Sequence, residues 1–166
     1  MSVVAVKIYD KEIIMSADSI IVHGDDKTPV GKGKIFEVNG MLIGSSGFAS
    51  EAVHMALFAE NHTPLTMDER EITKFMYEFT SWRIKEFGVD PKTEYQNCYL
   101  IAYKGKAFYC SAGYVGEITD FYAIGAGEAY AKAALYLGHS PAEAVKVACA
   151  LNCFVAEPVI TKSITK

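Results

Sequence analysis

The dipeptide Asn39-Gly40, set between the runs Lys34–Val38 and Met41–Ser45, constrains the fold of this chain most. A two-residue type I′ turn needs positive φ at both central positions, which Asn and Gly supply most readily. The two runs are therefore predicted to be adjacent antiparallel strands. The pattern recurs twice. Asp10-Lys11-Glu12 separates the β-branched run Val3–Tyr9 from Ile13–Ala17, and Lys104-Gly105 separates Tyr95–Tyr103 from Ala107–Ala112. Three hairpins imply largely antiparallel sheets. Asp120–Ile124 and Val155–Thr161 read as further strands, residues 23–33 as a Gly- and Pro-bearing loop, and Lys162–Lys166 as a polar tail.

The helices come in two pairs. Gly47 opens the first, whose apolar stripe is Ala49, Ala52, Val53, Ala56, Leu57 and Ala59. Thr63-Pro64 ends that stretch, and Asp68–Phe87 follows as the longest helix, with acids in its first turn and Gly88 as its stop. The second pair is Glu128–Leu137 and Pro141–Cys153. In the latter, Ser140, Pro141 and Glu143 spell an N-cap, a first-turn proline and a capping box. Cys149 and Cys153 then share one helix face, where core packing is expected. Antiparallel sheets faced by paired helices predict an α+β sandwich.

At 166 residues the chain suits one domain spanning 1–166. With 51% hydrophobic and 22% charged residues it is not a disordered sequence. Sixteen basic and 20 acidic residues leave a net charge of −4, so a nucleic-acid partner is not expected. No apolar run approaches the roughly 20 residues of a membrane-spanning helix. The start MSVVAVKIYDKE has no basic region and no cleavage site behind an apolar core, so a cytoplasmic location is expected. The four cysteines are expected to be reduced and mostly buried, since they lack zinc-site spacing. No cofactor or metal is expected.

Gly125-Ala126-Gly127 lacks the third glycine and the βαβ context of a dinucleotide site, and reads as a bend for close strand–helix packing. The four histidines are scattered. Ser2 carries more chemistry. Removal of Met1 would leave it a free α-amine, which can serve as general base for the neighbouring hydroxyl. Such a nucleophile needs a nearby cation and a carboxylate to hold that cation. Lys34 and Asp18, both at strand ends, are the candidates. The alternative for each is a solvated strand-end charge.

The segments SVVAVKIYDKEIIMSADS, KGKIFEVNGMLIGSSGFASEA, DFYAIGAGEAYAKAALYLG and SPAEAVKVACAL cover most of the chain. In them it resembles the N-terminal-nucleophile hydrolases of the proteasome β-subunit and HslV type. The resemblance implies a four-layer αββα sandwich. It also implies a catalytic set of Ser2, Asp18, Lys34 and the Gly47 backbone N–H as oxyanion donor. In the family a nucleophilic Thr is followed by an Asp 16 residues on and a Lys 32 residues on, and Ser2, Asp18 and Lys34 keep those intervals. Aligning VVAV strand to strand instead puts Met1 at the Thr position, with one residue inserted in the Asp10-Lys11 turn.

Three departures stand out. Ser2 replaces Thr, Ala126 replaces the Ser of the family's glycine bend, and Leu151-Asn152-Cys153-Phe154 lacks the family's late carboxylate. Two functions follow. One is a peptidase that cleaves unfolded polypeptides in a homo-oligomeric ring served by an ATP-dependent unfoldase. The other is an inactive subunit with a role in ring assembly.

Overall fold

The protein is described here by a computed structural model covering residues 1–24, 26–29, 33–90 and 97–166. Two sheets stack face to face, and a helix pair covers each outer face, giving a four-layer αββα sandwich. The first sheet has the order β10-β1-β2-β11, from β1 (Val3–Ile8), β2 (Glu12–Ala17), β10 (Phe121–Gly125) and β11 (Ile160–Thr165). The second runs β5-β6-β7-β8-β9, from β5 (Ile35–Val38), β6 (Met41–Ser46), β7 (Cys98–Tyr103), β8 (Lys106–Ser111) and β9 (Tyr114–Ile118). All ladders are antiparallel. Helices α1 (Ala49–Ala59) and α2 (Glu69–Phe87) cover the second sheet, and α3 (Glu128–Tyr136) and α4 (Pro141–Leu151) cover the first.

The period-2 alternation of each strand feeds two layers at once. In β1, Val4 and Val6 point between the sheets while Val3 and Ala5 meet α3 and α4. In β6, Leu42 points between the sheets while Met41 and Ile43 pack under α1 and α2. Gly44 follows in that register and lets the sheets close. A Cβ there would lie 2.6 Å from Met15 Sδ and 2.7 Å from Val4 Cγ1. The predicted turns form, with Asn39 and Gly40 at φ 49° and 74°, and Lys104 and Gly105 at 45° and 79°.

Several boundaries differ from the sequence expectation. Part of 23–33 is not a loop. Ile20–His23 (β3) and Asp26–Pro29 (β4) pair as a separate two-stranded ribbon, the β-branched Ile20-Ile21-Val22 supplying one strand. Residues 25 and 30–32 lie outside the described set, as do 95 and 96 at the start of the expected strand Tyr95–Tyr103. Strand β9 escapes sequence reading because Gly116 interrupts its alternation. The Tyr114 ring lies over that glycine, where a Cβ would meet its hydroxyl at 2.7 Å. The last strand is not Val155–Thr161 but Ile160–Thr165, so most of the expected tail is ladder. Pro158 has no N–H to contribute, and the half-buried Ile160, Lys162 and Ile164 alternate with exposed residues.

Two helices also differ. α4 ends at Leu151, which leaves Cys153 beyond the helix and exposed. Of the other free thiols, Cys110 is buried and Cys98 and Cys149 are half-buried. Burial pushes the Cys110 thiol up to about 12. α1 begins at Ala49, and its inward face is Glu51, Met55, Phe58 and Ala59. The expected apolar stripe lies largely elsewhere, with Val53 57% and Leu57 41% exposed.

Candidate active site

Strand pairing within each sheet and stacking of the two sheets bring the candidate residues together, because each sits beside a strand end. Val3 lies opposite Asp18 across β1–β2, where Asp18 N–H donates to the Val3 carbonyl at 3.2 Å. Lys34 lies opposite Ser45 across β5–β6, where Ser45 N–H donates to the Lys34 carbonyl at 3.0 Å. Stacking of the two sheets then places the Lys34 ammonium on the Asp18 carboxylate, 2.7 Å from each oxygen. Asp18 is fully buried, and its Oδ1 also accepts the Val3 N–H at 2.8 Å. A buried carboxylate needs such partners.

Burial holds the Lys34 ammonium below the usual lysine range, and the Asp18 carboxylate opposes that shift. The ammonium also donates to the Met1 carbonyl, at 3.4 Å. Lys34 therefore faces the first residue of the chain, as in the strand-to-strand alignment. Ser2 is buried at 4% exposure, its carbonyl accepting the Gly127 N–H at 3.2 Å.

The glycine bend after β10 is required by this approach. Gly125 has φ 98°, and a Cβ on it would collide with the Ser2 carbonyl and lie 2.7 Å from Ser46 Oγ. At Gly127 a Cβ would stand 2.9 Å from Val3 Cβ and 3.0 Å from Ala148 Cβ. The close-packing reading of the bend thus stands. Asn152 buttresses it, donating from Nδ2 to the Ala126 carbonyl at 2.8 Å.

Gly47, with φ 140°, ends β6 and turns the chain into α1. Met1, Ser2, Lys34, Ser45 and Gly47 share a cleft of about 520 Å³ with Ala49, Ala52, Val53 and Ala56 of α1. The cleft is mostly apolar, lined by Ile20, Ile21, Val22 and the face that α1 withholds from the core, with Ser2, Lys34 and Ser45 as its polar part. A cleft of this size suits a peptide side chain or a small ligand.

Sequence reading missed two contributors. Ser45 lines the cleft. Asn97, only 2% exposed, hydrogen-bonds Ser45 and the backbone of Phe48. Its signal was a polar residue at the head of an apolar strand, where Asn is disfavoured. No described cluster of three or more His, Cys, Asp or Glu side chains is placed to hold a metal, and no described helix is long and apolar enough to cross a membrane.

The sandwich is that of the proteasome-like N-terminal-nucleophile hydrolase fold. Three solved structures bear this out. BPH of Thiobacillus denitrificans in complex with epoxomicin superposes at TM-score 0.87 and 23% identity, over 98% of each chain. The same BPH alone gives 0.87 and 22%, over 98% of this chain and 97% of that one. Eukaryotic HslV from Trypanosoma brucei gives 0.72 and 15%, over 99% of each. At these identities the likeness is one of fold. No family model matches the chain, and no curated protein does.

Proposed function

We propose that this protein is a peptidase subunit of the proteasome and HslV type, with Ser2 as nucleophile once Met1 is removed. The observation that carries the reading is the buried Asp18–Lys34 pair, held at 2.7 Å and directed at the first residues of the chain in the cleft floor. An ion pair buried this deeply is poor stabilisation by itself, and its position suits a site where charge must be held ready.

In this mechanism the Ser2 α-amine, acting through a water, takes the hydroxyl proton as Oγ attacks the scissile carbonyl. Lys34 stabilises the negative charge that develops, and Asp18 holds Lys34. The Gly47 N–H receives the oxyanion, a contribution of about 3 kcal/mol for such donors. The proton passes to the leaving amine, and water then hydrolyses the Ser2 ester. By the same likeness, the substrate is unfolded polypeptide, the working form is a homo-oligomeric ring in the cytoplasm, and an ATP-dependent unfoldase feeds it.

The test is peptide cleavage by protein that lacks Met1. Ser2→Ala, Lys34→Ala and retention of Met1 are each expected to abolish it while the ring still assembles. Undiminished cleavage by Lys34→Ala excludes the mechanism. A second reading, an inactive subunit acting in assembly, is favoured by the 3.4 Å contact of Lys34 with the Met1 carbonyl and not with a hydroxyl. Assembly without cleavage, in protein whose Met1 has been removed, selects it.

A further inference from the structure

We infer that Asn97 is the positioning residue for the turn that carries the Gly47 amide. This rests on the peptidase reading for its catalytic consequence, though not for its structural one. α1 starts without a cap of its own, since Phe48 occupies the N-cap position and its side chain caps nothing. Asn97, 49 residues away at the head of β7, instead holds the backbone of Phe48 itself. Its Oδ1 accepts the Phe48 N–H at 2.5 Å, and its Nδ2 donates to the Phe48 carbonyl at 2.9 Å and to Ser45 Oγ at 3.0 Å.

Both donor hydrogens and the acceptor are thereby used, which leaves one orientation for the side-chain amide. The reverse orientation would set donor against donor at the Phe48 N–H and acceptor against acceptor at its carbonyl. The partners bracket Gly47, with Ser45 two residues before and Phe48 one residue after. Gly47 itself has φ 140° and can rotate freely, so the direction of its N–H depends on both flanks being held.

Asn97 is in turn built into the layer beneath. It faces the Tyr99 hydroxyl, which donates to Glu51 Oε1 at 3.0 Å, and Glu51 pairs with Arg83 of α2 at 3.0 Å. An apolar side chain at position 97 takes away the side-chain acceptor of the Phe48 N–H, while the Phe48 carbonyl keeps the Ala52 N–H at 3.2 Å.

The test combines amide hydrogen exchange on the whole chain with steady-state cleavage. In Asn97→Leu the Phe48 amide is expected to exchange about tenfold faster or more, while the amides of β1 and β2 are unchanged. Its kcat is expected to fall about tenfold or more at constant KM, counted per reactive Ser2, because the donor serves the transition state. Asn97→Asp keeps the acceptor and loses both donors, so Phe48 stays protected and kcat falls less. If the leucine variant does not fold, an unchanged kcat in Asn97→Asp overturns the inference instead.

Unchanged Phe48 exchange in Asn97→Leu overturns the inference. So does an unchanged kcat in a variant whose turn has loosened. Absence of turnover in the unsubstituted protein instead refutes the peptidase reading, and the exchange data still decide whether Asn97 holds the turn.

Discussion

Helices α1 and α4 start in opposite ways. α4 is capped by its own neighbours in sequence. Ser140 Oγ accepts the Glu143 N–H at 3.3 Å, the Glu143 carboxylate accepts the Ser140 N–H at 2.8 Å, and Pro141 takes the first turn. α1 has no such device. Phe48, the residue before it, is held by Asn97 from β7, and the helix's buried face carries the Glu51 carboxylate, paired with Arg83 and hydrogen-bonded by Tyr99. The layers differ in the same sense. α3 and α4 press alanines (Ala131, Ala134, Ala144, Ala148) onto β1 and β10, whereas α1 and α2 cover their sheet with Phe58, Phe75, Phe79 and methionines around that ion pair. The locally encoded helix backs the site. The remotely supported helix forms its wall and follows the Gly47 turn, whose orientation the proposed mechanism uses.

This contrast is most easily broken at Glu51. Glu51→Ala removes one partner of a buried pair and leaves the Arg83 guanidinium, 11% exposed and with Nε already unpaired, short of its counter-charge. A loss of about 3–5 kcal/mol is expected by chemical denaturation. A loss no larger than that of a surface substitution would mean that α1 does not depend on remote support.

At the other helix, Ser140→Ala removes a local cap and is expected to cost about 1 kcal/mol by thermal denaturation, with cleavage unaltered. An effect on cleavage would join α4's start to the site and blur the contrast.

The smallest effect concerns His54 on α1, stacked on Phe87 at 3.9 Å. Burial, and then the Arg83 charge, hold it below its ordinary value of 6.5, while Glu51 opposes them. Between its lowered value and 6.5 the unfolded chain binds more protons than the native one, so stability falls as pH drops through that window. Stability measured against pH should be flatter there for His54→Gln. An equal slope would show that α1 does not feel that charge.

The difference between the two helices also explains what the sequence disclosed. Ser140-Pro141-Ala142-Glu143 carries its whole capping chemistry within four residues, and Asn39-Gly40 and Lys104-Gly105 specify their turns within two. These were readable, as was the sandwich that follows from paired strands and paired helices. Asp18 and Lys34 were legible through the resemblance, whose intervals from Ser2 they keep, and stacking of the two sheets sets them 2.7 Å apart. Asn97 was not, because its role depends on a partner 49 residues away. Nor was the inward turn of Glu51, since a carboxylate in an apolar helix is ordinarily placed toward solvent. β11 was hidden because an edge strand with Lys162 and Ser163 has the composition of a tail.

One property of the site extends the comparison to chemistry. Burial lowers Lys34, so its charge is lost at a pH below the free-lysine value of 10.5. Cleavage that relies on that charge should fall on the alkaline side, with its limb below 10.5.

The most direct test of the account is the intact mass of the protein from its native host, before and after incubation with a peptide epoxyketone. That warhead joins both the hydroxyl and the free amine of an N-terminal Ser. The account predicts loss of Met1 and a single adduct per chain, absent from Ser2→Ala. Met1 retained, with no adduct, would contradict it and leave the Asp18–Lys34 pair as part of an assembly subunit.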